Sequence, residues 1–112
     1  MTNGHLGQWP DSKPAEYQLI AVIRSLIDST NPTFLEHALE QMDKRGFDTI
    51  DVLNVLRTGD IVGGIEPGKN SDEWKCKVVA CPHYPDNLRE IGVVTIVVRA
   101  SYLLIKTVEW ED

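Results

Sequence analysis

Residues 92–110 read Gly-Val-Val-Thr-Ile-Val-Val-Arg-Ala-Ser-Tyr-Leu-Leu-Ile-Lys-Thr-Val-Glu-Trp. β-Branched and aromatic residues dominate this stretch, and such stiff side chains favour a pleated, extended backbone. The pattern predicts two strands, Gly92–Ala100 and Tyr102–Trp110. A short connection around Arg99–Tyr102 makes them a hairpin, although no Asn-Gly pair is present. Alternation puts Val93, Thr95 and Val97 on one face and Val94, Ile96 and Val98 on the other. In the second strand Leu103 and Ile105 oppose Tyr102, Leu104, Val108 and Trp110. A sheet with one wet face alternates more cleanly than this. Both sides of the pair therefore require cover.

Moving toward the N-terminus, Pro82–Glu90 is a polar loop, Glu73–Cys81 a strand, and Pro67–Asp72 a loop. Asp60–Glu66 is a short strand weakened by Gly63-Gly64. Before Gly59 the period changes from two to that of a helix. A helix beginning at Asp48 or Thr49 runs to about Thr58, with Ile50, Val52, Leu53, Val55 and Leu56 as its apolar set. The preceding helix spans Phe34 or Glu36 through Arg45, with Leu35, Ala38, Leu39 and Met42 in a stripe and Gly46 as a left-handed cap. Both helices carry the end chemistry helices require. A further helix over 15–29 buries Ile20, Ile23 and Ile27; it starts after Pro14 and stops before Pro32. Residues 1–13 read as a flexible leader with Trp9 docked on the body.

The expectation is a single α+β domain over 14–112, with two to three helices followed by and packed on a three- to four-stranded antiparallel sheet. Helices over 36–45 and 49–58 cover one sheet face. The first helix, a second subunit making a homodimer, or a partner must cover the other.

Composition narrows the function. The chain has 112 residues and a net charge of -6. That acidity opposes a generally basic nucleic-acid surface, because phosphate affinity comes from clustered Lys and Arg. It leaves room for a small basic pocket or a basic protein partner. No apolar run is long enough to span a bilayer and no basic-then-apolar leader marks a secretory signal, so a cytoplasmic protein that does not engage a membrane is expected. Two cysteines, Cys76 and Cys81, are too few for a disulfide framework. With His83 they offer three metal donors in a Cys-x₄-Cys-x-His spacing, short of a closed structural site, and the two cysteines fall on opposite strand faces. No metal and no cofactor are expected.

One segment is more specific. Glu36-His37-Ala38-Leu39-Glu40-Gln41-Met42-Asp43-Lys44-Arg45-Gly46-Phe47, followed by Asp51-Val52-Leu53 and Leu56-Arg57-Thr58-Gly59-Asp60-Ile61, resembles a family of small bacterial proteins known as a domain of unknown function. Its hallmark is a His-Ala-Leu-Glu-x-Met-x-x-Arg-Gly helix, then a second helix and a small sheet. Leu104-Ile105-Lys106-Thr107-Val108 resembles its closing strand. The resemblance covers about 33–109 and leaves out the helix over 15–29. That family is similar in layout to the RelE and MqsR messenger-RNA-cleaving toxins. The resemblance implies a metal-independent endoribonuclease of a toxin–antitoxin system, with RNA as substrate and an antitoxin as partner. Those toxins are basic and this chain is acidic. The alternative is a non-catalytic protein-interaction or inhibitor module of the same fold, acting through its acidic surface or its sheet.

RNA cleavage without a metal needs a base for the 2′-hydroxyl, a cation on the phosphorane and an acid for the leaving oxygen. His37 is the candidate acid or base and Arg45 the phosphate clamp, two turns further along one helix. Lys77 and Lys106 are candidate groove cations, with Lys75 on the same strand face as Lys77. The structural alternatives are a His37 bonded to backbone, an Arg45 at the negative end of its helix, and lysines that guard a sheet edge.

Overall fold

The computed structural model describes residues 12–111. The expected leader lies almost wholly outside them, Trp9 included. The two decisive strands are present as β4 (Ile91–Val98) and β5 (Tyr102–Trp110). They pair antiparallel, with Val98 opposite Tyr102. Their turn is tight without glycine. Arg99 and Ala100 both take left-handed backbone, with φ of 52° and 56°. The Ser101 N–H donates to the Val98 carbonyl at 2.8 Å. Two positive-φ central residues match the twist of the flanking strands, but side chains resist that conformation. Asp72 offsets the strain: its carbonyl accepts from the Arg99 N–H at 3.1 Å and its carboxylate lies 3.2 Å from Arg99 Nε.

The other elements, in chain order, are α1 (Glu16–Ser29), β1 (Thr33–Phe34), α2 (Glu36–Arg45), α3 (Thr49–Thr58), β2 (Asp60–Pro67) and β3 (Glu73–Ala80). The sheet has five strands in the order β1-β5-β4-β3-β2. All neighbours are antiparallel except β1, which runs parallel to β5. The fold class is α+β as expected, while the strand count exceeds the three or four expected. The extra strand is β1, two residues long and so too short to leave a period in sequence.

Two bulges set the register. Between Val62 and Ile65, β2 carries Gly63 and Gly64, both at φ 83°, as extra residues against consecutive β3 partners. Glycine takes that backbone without a Cβ penalty. On β5, Thr107 pairs with Val94 and Ile105 with Thr95, which leaves Lys106 unpaired. This second bulge overturns one expected face. Val108 joins Leu103 and Ile105 on the buried side, and Trp110 packs there against Phe47 at a centroid distance of 4.7 Å. Only Tyr102 and Leu104 of the expected apolar set stay on the opposite side.

All three helices lie on one face. The core joins Leu19, Val22, Ile23 and Leu26 of α1 to Ala38 and Met42 of α2 and to Val52, Val55 and Leu56 of α3. These meet Ile61, Ile65, Cys76, Val78, Ile91, Val93, Val97, Leu103, Ile105 and Val108 from the strands. Of the residues expected to anchor α1, Ile23 is buried, while Ile20 and Ile27 flank the core. Arg24 Nη2 donates to the Gly59 carbonyl at 2.7 Å and so ties α1 to the C-terminal end of α3, where positive charge suits the helix dipole. Gly59 itself admits no side chain. A Cβ there meets the Val79 carbonyl oxygen at 2.5 Å and the Val55 carbonyl oxygen at 2.7 Å. Because α1 shares the inner face, it does not cover the outer one.

α3 starts as expected, with Asp48 accepting from the Asp51 N–H at 2.8 Å and Asp51 accepting from the Asp48 N–H at 3.1 Å. α2 ends as expected on Gly46, at φ 77°. Its start departs from expectation: Leu35 stands at the cap with no side-chain bond, and its N–H donates to the Ile105 carbonyl at 2.9 Å. Pairing to β5, rather than a polar cap, fixes where α2 begins. No helix among the described residues is long and apolar enough to cross a membrane.

Candidate functional site

α2 sets the first candidate surface. Ala38 and Met42 face the core, while Gln41 turns toward β5, and its Oε1 accepts from the Val108 N–H at 3.0 Å. That bond satisfies an amide that no strand pairs, just past the bulge. His37 and Arg45 are exposed, and neither has a hydrogen-bond or ion-pair partner among the described residues. They line one cleft of about 560 Å³ with Glu40, Gln41, Asp43 and Lys44. Eight positions separate them, a rise of roughly 12 Å along the helix. Two carboxylates share the cleft with His37, Lys44 and Arg45, so its field is mixed.

The second surface is the open sheet face. Its columns follow the pairing: Tyr102, Leu104, Thr107 and Glu109 on β5; Val98, Ile96, Val94 and Gly92 on β4; Glu73, Lys75, Lys77 and Val79 on β3; Glu66, Val62 and Asp60 on β2. Val94, Ile96, Val98 and Leu104 remain partly exposed, and Tyr102 is 63% exposed. None of these five belongs to the helix-covered core. The two lysines are spent within the chain. Lys77 Nζ lies 2.9 Å from Glu111 Oε1, and Lys75 Nζ lies 3.4 Å from Glu66. Glu111 reaches Lys77 across Gly92, where a Cβ would collide with its carboxylate. A shallow cleft of about 350 Å³ lies here, lined by Val62, Gly63, Gly64, Lys75, Lys77, Val94 and Glu109 among others.

The four expected site residues therefore do not converge. His37 and Arg45 line one cleft, Lys77 lines the other, and Lys106 sits exposed at the bulge and lines neither. Two strand spacings, roughly 10 Å, separate Lys77 from β5 before α2 is reached. A single phosphate is too small to be gripped by both groups. The partners of the lysines were not read from sequence. Glu66 falls opposite Lys75 once the Gly63-Gly64 bulge is counted into the register, so that pairing had a signal. Glu111 had none, since only the fold brings it over Gly92.

Cys76, Cys81 and His83 are each held within the fold. Burial pushes the Cys76 thiol up to about 12, and the neighbouring Glu16 carboxylate adds to the rise. The Cys81 thiol donates to the Asn87 carbonyl at 2.9 Å. His83 Nε2 lies 3.2 Å from Asp51, which fastens the loop before β4 to the start of α3. Among the described residues no group of His, Cys, Asp and Glu is placed to hold a metal ion.

The order α2-α3-β2-β3-β4-β5, with β1 as a short edge beside β5, is now a defined unit. A family described as Domain of unknown function (DUF4258) matches residues 34–110. The chain belongs to the DUF4258 family. Its DUF4258 domain opens on the last residue of β1 and closes on the last residue of β5, so both helices and all of the antiparallel strands fall inside it. α1 precedes the DUF4258 match and contributes Leu19, Val22, Ile23 and Leu26 to the same core. Neither a search of curated proteins nor one of solved structures finds a match.

Proposed function

We propose that this DUF4258 protein is a non-catalytic protein-interaction module of the cytoplasm whose docking surface is the open face of its sheet. One observation carries the reading: among the described residues three helices crowd one face, and on the other the column Val94, Ile96, Val98 with Leu104 stays only partly buried and Tyr102 is exposed. An apolar stripe rimmed by polar residues is the usual mark of an interface. The cations on that face are neutralised by Glu66 and Glu111, which leaves little to hold a phosphate backbone. Expression in a bacterial host tests it. The module reading expects normal growth, intact messenger RNA and no binding of a labelled RNA by the purified protein.

A second reading has its own support. His37 and Arg45 have no partner among the described residues and line a common cleft on α2, and the RelE/MqsR-type resemblance implies ribonuclease chemistry with an antitoxin as partner. In that reading Arg45 binds phosphate and His37 moves the proton, with Lys77 and Lys106 guiding the strand. Growth arrest with loss of messenger RNA, abolished by Arg45→Ala in a protein that still folds, would replace the first reading with this one.

A further inference from the structure

We propose that the occupant of the open sheet face is a second copy of this chain, packed face to face about a two-fold axis. This rests on the reading of that face as a docking surface and names what docks there. The strand order makes β4 the middle of five strands, with β5 and β1 on one side and β3 and β2 on the other. A two-fold axis along β4 lays its outer column on itself, so Val94, Ile96 and Val98 of one copy meet the same residues of the other. The same operation sets the β3 column, with Lys75 and Lys77, against the β5 column, with Leu104, Thr107 and Glu109. No column of like charge meets itself. Both lysines already hold a carboxylate within their own copy, and the register sets Leu104 against Lys75, Thr107 against Lys77 and Glu109 against Val79, so no lysine meets a lysine.

The area suffices. Four strands about 4.8 Å apart and eight or nine residues long give a face of roughly 500 Å² per copy, or about 1,000 Å² in total, the least that a specific interface needs. The sheet edges are poorer routes to self-association. One edge strand, β1, is two residues long, and the other, β2, is broken by the Gly63-Gly64 bulge and ends in Pro67. Short, bulged and proline-bearing edges resist strand pairing. The face is left as the surface that a twin fits.

Sedimentation of the full chain across a dilution series tests the proposal, with Ile96→Asp and Tyr102→Asp as variants and circular dichroism to verify folding. The wild type is expected to sediment as a dimer that dissociates on dilution. A charge introduced at Ile96 is expected to raise the dissociation constant by roughly a hundredfold, since it is buried unpaired at the centre of the interface. Tyr102→Asp, at an exposed site that the monomer tolerates, weakens the dimer in the same direction and stands if Ile96→Asp fails to fold. A wild type that stays monomeric at the highest concentration overturns the proposal, as does a dimer indifferent to both substitutions. An apolar dye then separates the two claims. A monomer that binds the dye, and loses that binding in Tyr102→Asp, keeps the docking surface but gives it to another protein. A monomer that binds no dye refutes both.

Discussion

Cys76 and Cys81 are five positions apart and chemically unlike. Cys76 is buried and its thiol is held at about 12, while Cys81 is partly exposed. The unfolded Cys76 ionises near 9.0, so between pH 9.0 and about 12 the unfolded chain releases a proton that the folded chain keeps. Stability from this group is therefore complete below 9.0 and is lost as pH rises through that window, by about 1.4 kcal/mol per unit. Urea titrations of the wild type and Cys76→Ala at pH 8 and pH 10.5 are expected to show a steeper decline in the wild type. A thiol reagent at neutral pH is expected to modify Cys81 first and to reach Cys76 only on unfolding. A second residue-scale outcome concerns Gly59, where any Cβ collides with two backbone carbonyls that cannot rotate away. Gly59→Ala is expected to cost about 3 kcal/mol in denaturant unfolding, more than an ordinary overpacking substitution on average.

At the scale of elements, the junction between α2 and β5 rests on one side chain. The Gln41 Oε1 takes the Val108 N–H where the Lys106 bulge has broken the ladder and β1 has already ended. Gln41→Ala strands that amide and is expected to cost about 1–3 kcal/mol, whereas Gln41→Glu keeps an acceptor and is expected to cost less. Thermal melts of the two variants give the comparison directly. Gln41 was legible in sequence only as a neighbour of His37 and Arg45 on one helix. Its role is structural because the bulge, invisible in the apolar pattern, turns an unpaired amide toward it. The cap of α3 is the opposite case. Asp48 and Asp51 stand three apart before an apolar run, a pattern that announces a helix start, and they bond reciprocally. Asp48→Ala is expected to cost about 1 kcal/mol.

For the whole molecule, the consequence is a sheet with one dry face and one open face. Adjacent residues of β4 report on it. Val93 points into the helix layer and is fully buried, and Val94 points outward beside Lys77. Val93→Asp places an unpaired charge in the core and is expected to cost more than about 4 kcal/mol, a large fraction of the roughly 5–15 kcal/mol that holds a typical domain folded. Val94→Asp is expected to leave a folded monomer with a near-native melt. Similar losses in both variants would mean that the outer face is covered within a single chain. The functional readings divide along the same line. The interaction reading rests on the outer face, and the ribonuclease reading on the cleft lined by α2.

The local order was set by the sequence itself. Helical spacing at Leu19 to Ile27, at Leu35 to Met42 and at Ile50 to Leu56, the glycines at 46 and 59, and the β-branched runs before and after Arg99 are each readable over one element, because propensity, capping and period act within a few residues. The apolar character of both faces of β4 was likewise readable in Val93–Val98 alone. Tertiary structure decided which face each helix took, because α1 is apolar on a stripe that fits either side of a sheet and only the competition for one core places it. It also decided the fate of the charged candidates. Lys77 and Glu111 lie 34 positions apart, so nothing local joins them. The sheet brings them to 2.9 Å, and a lysine that read as a free cation becomes half of an ion pair.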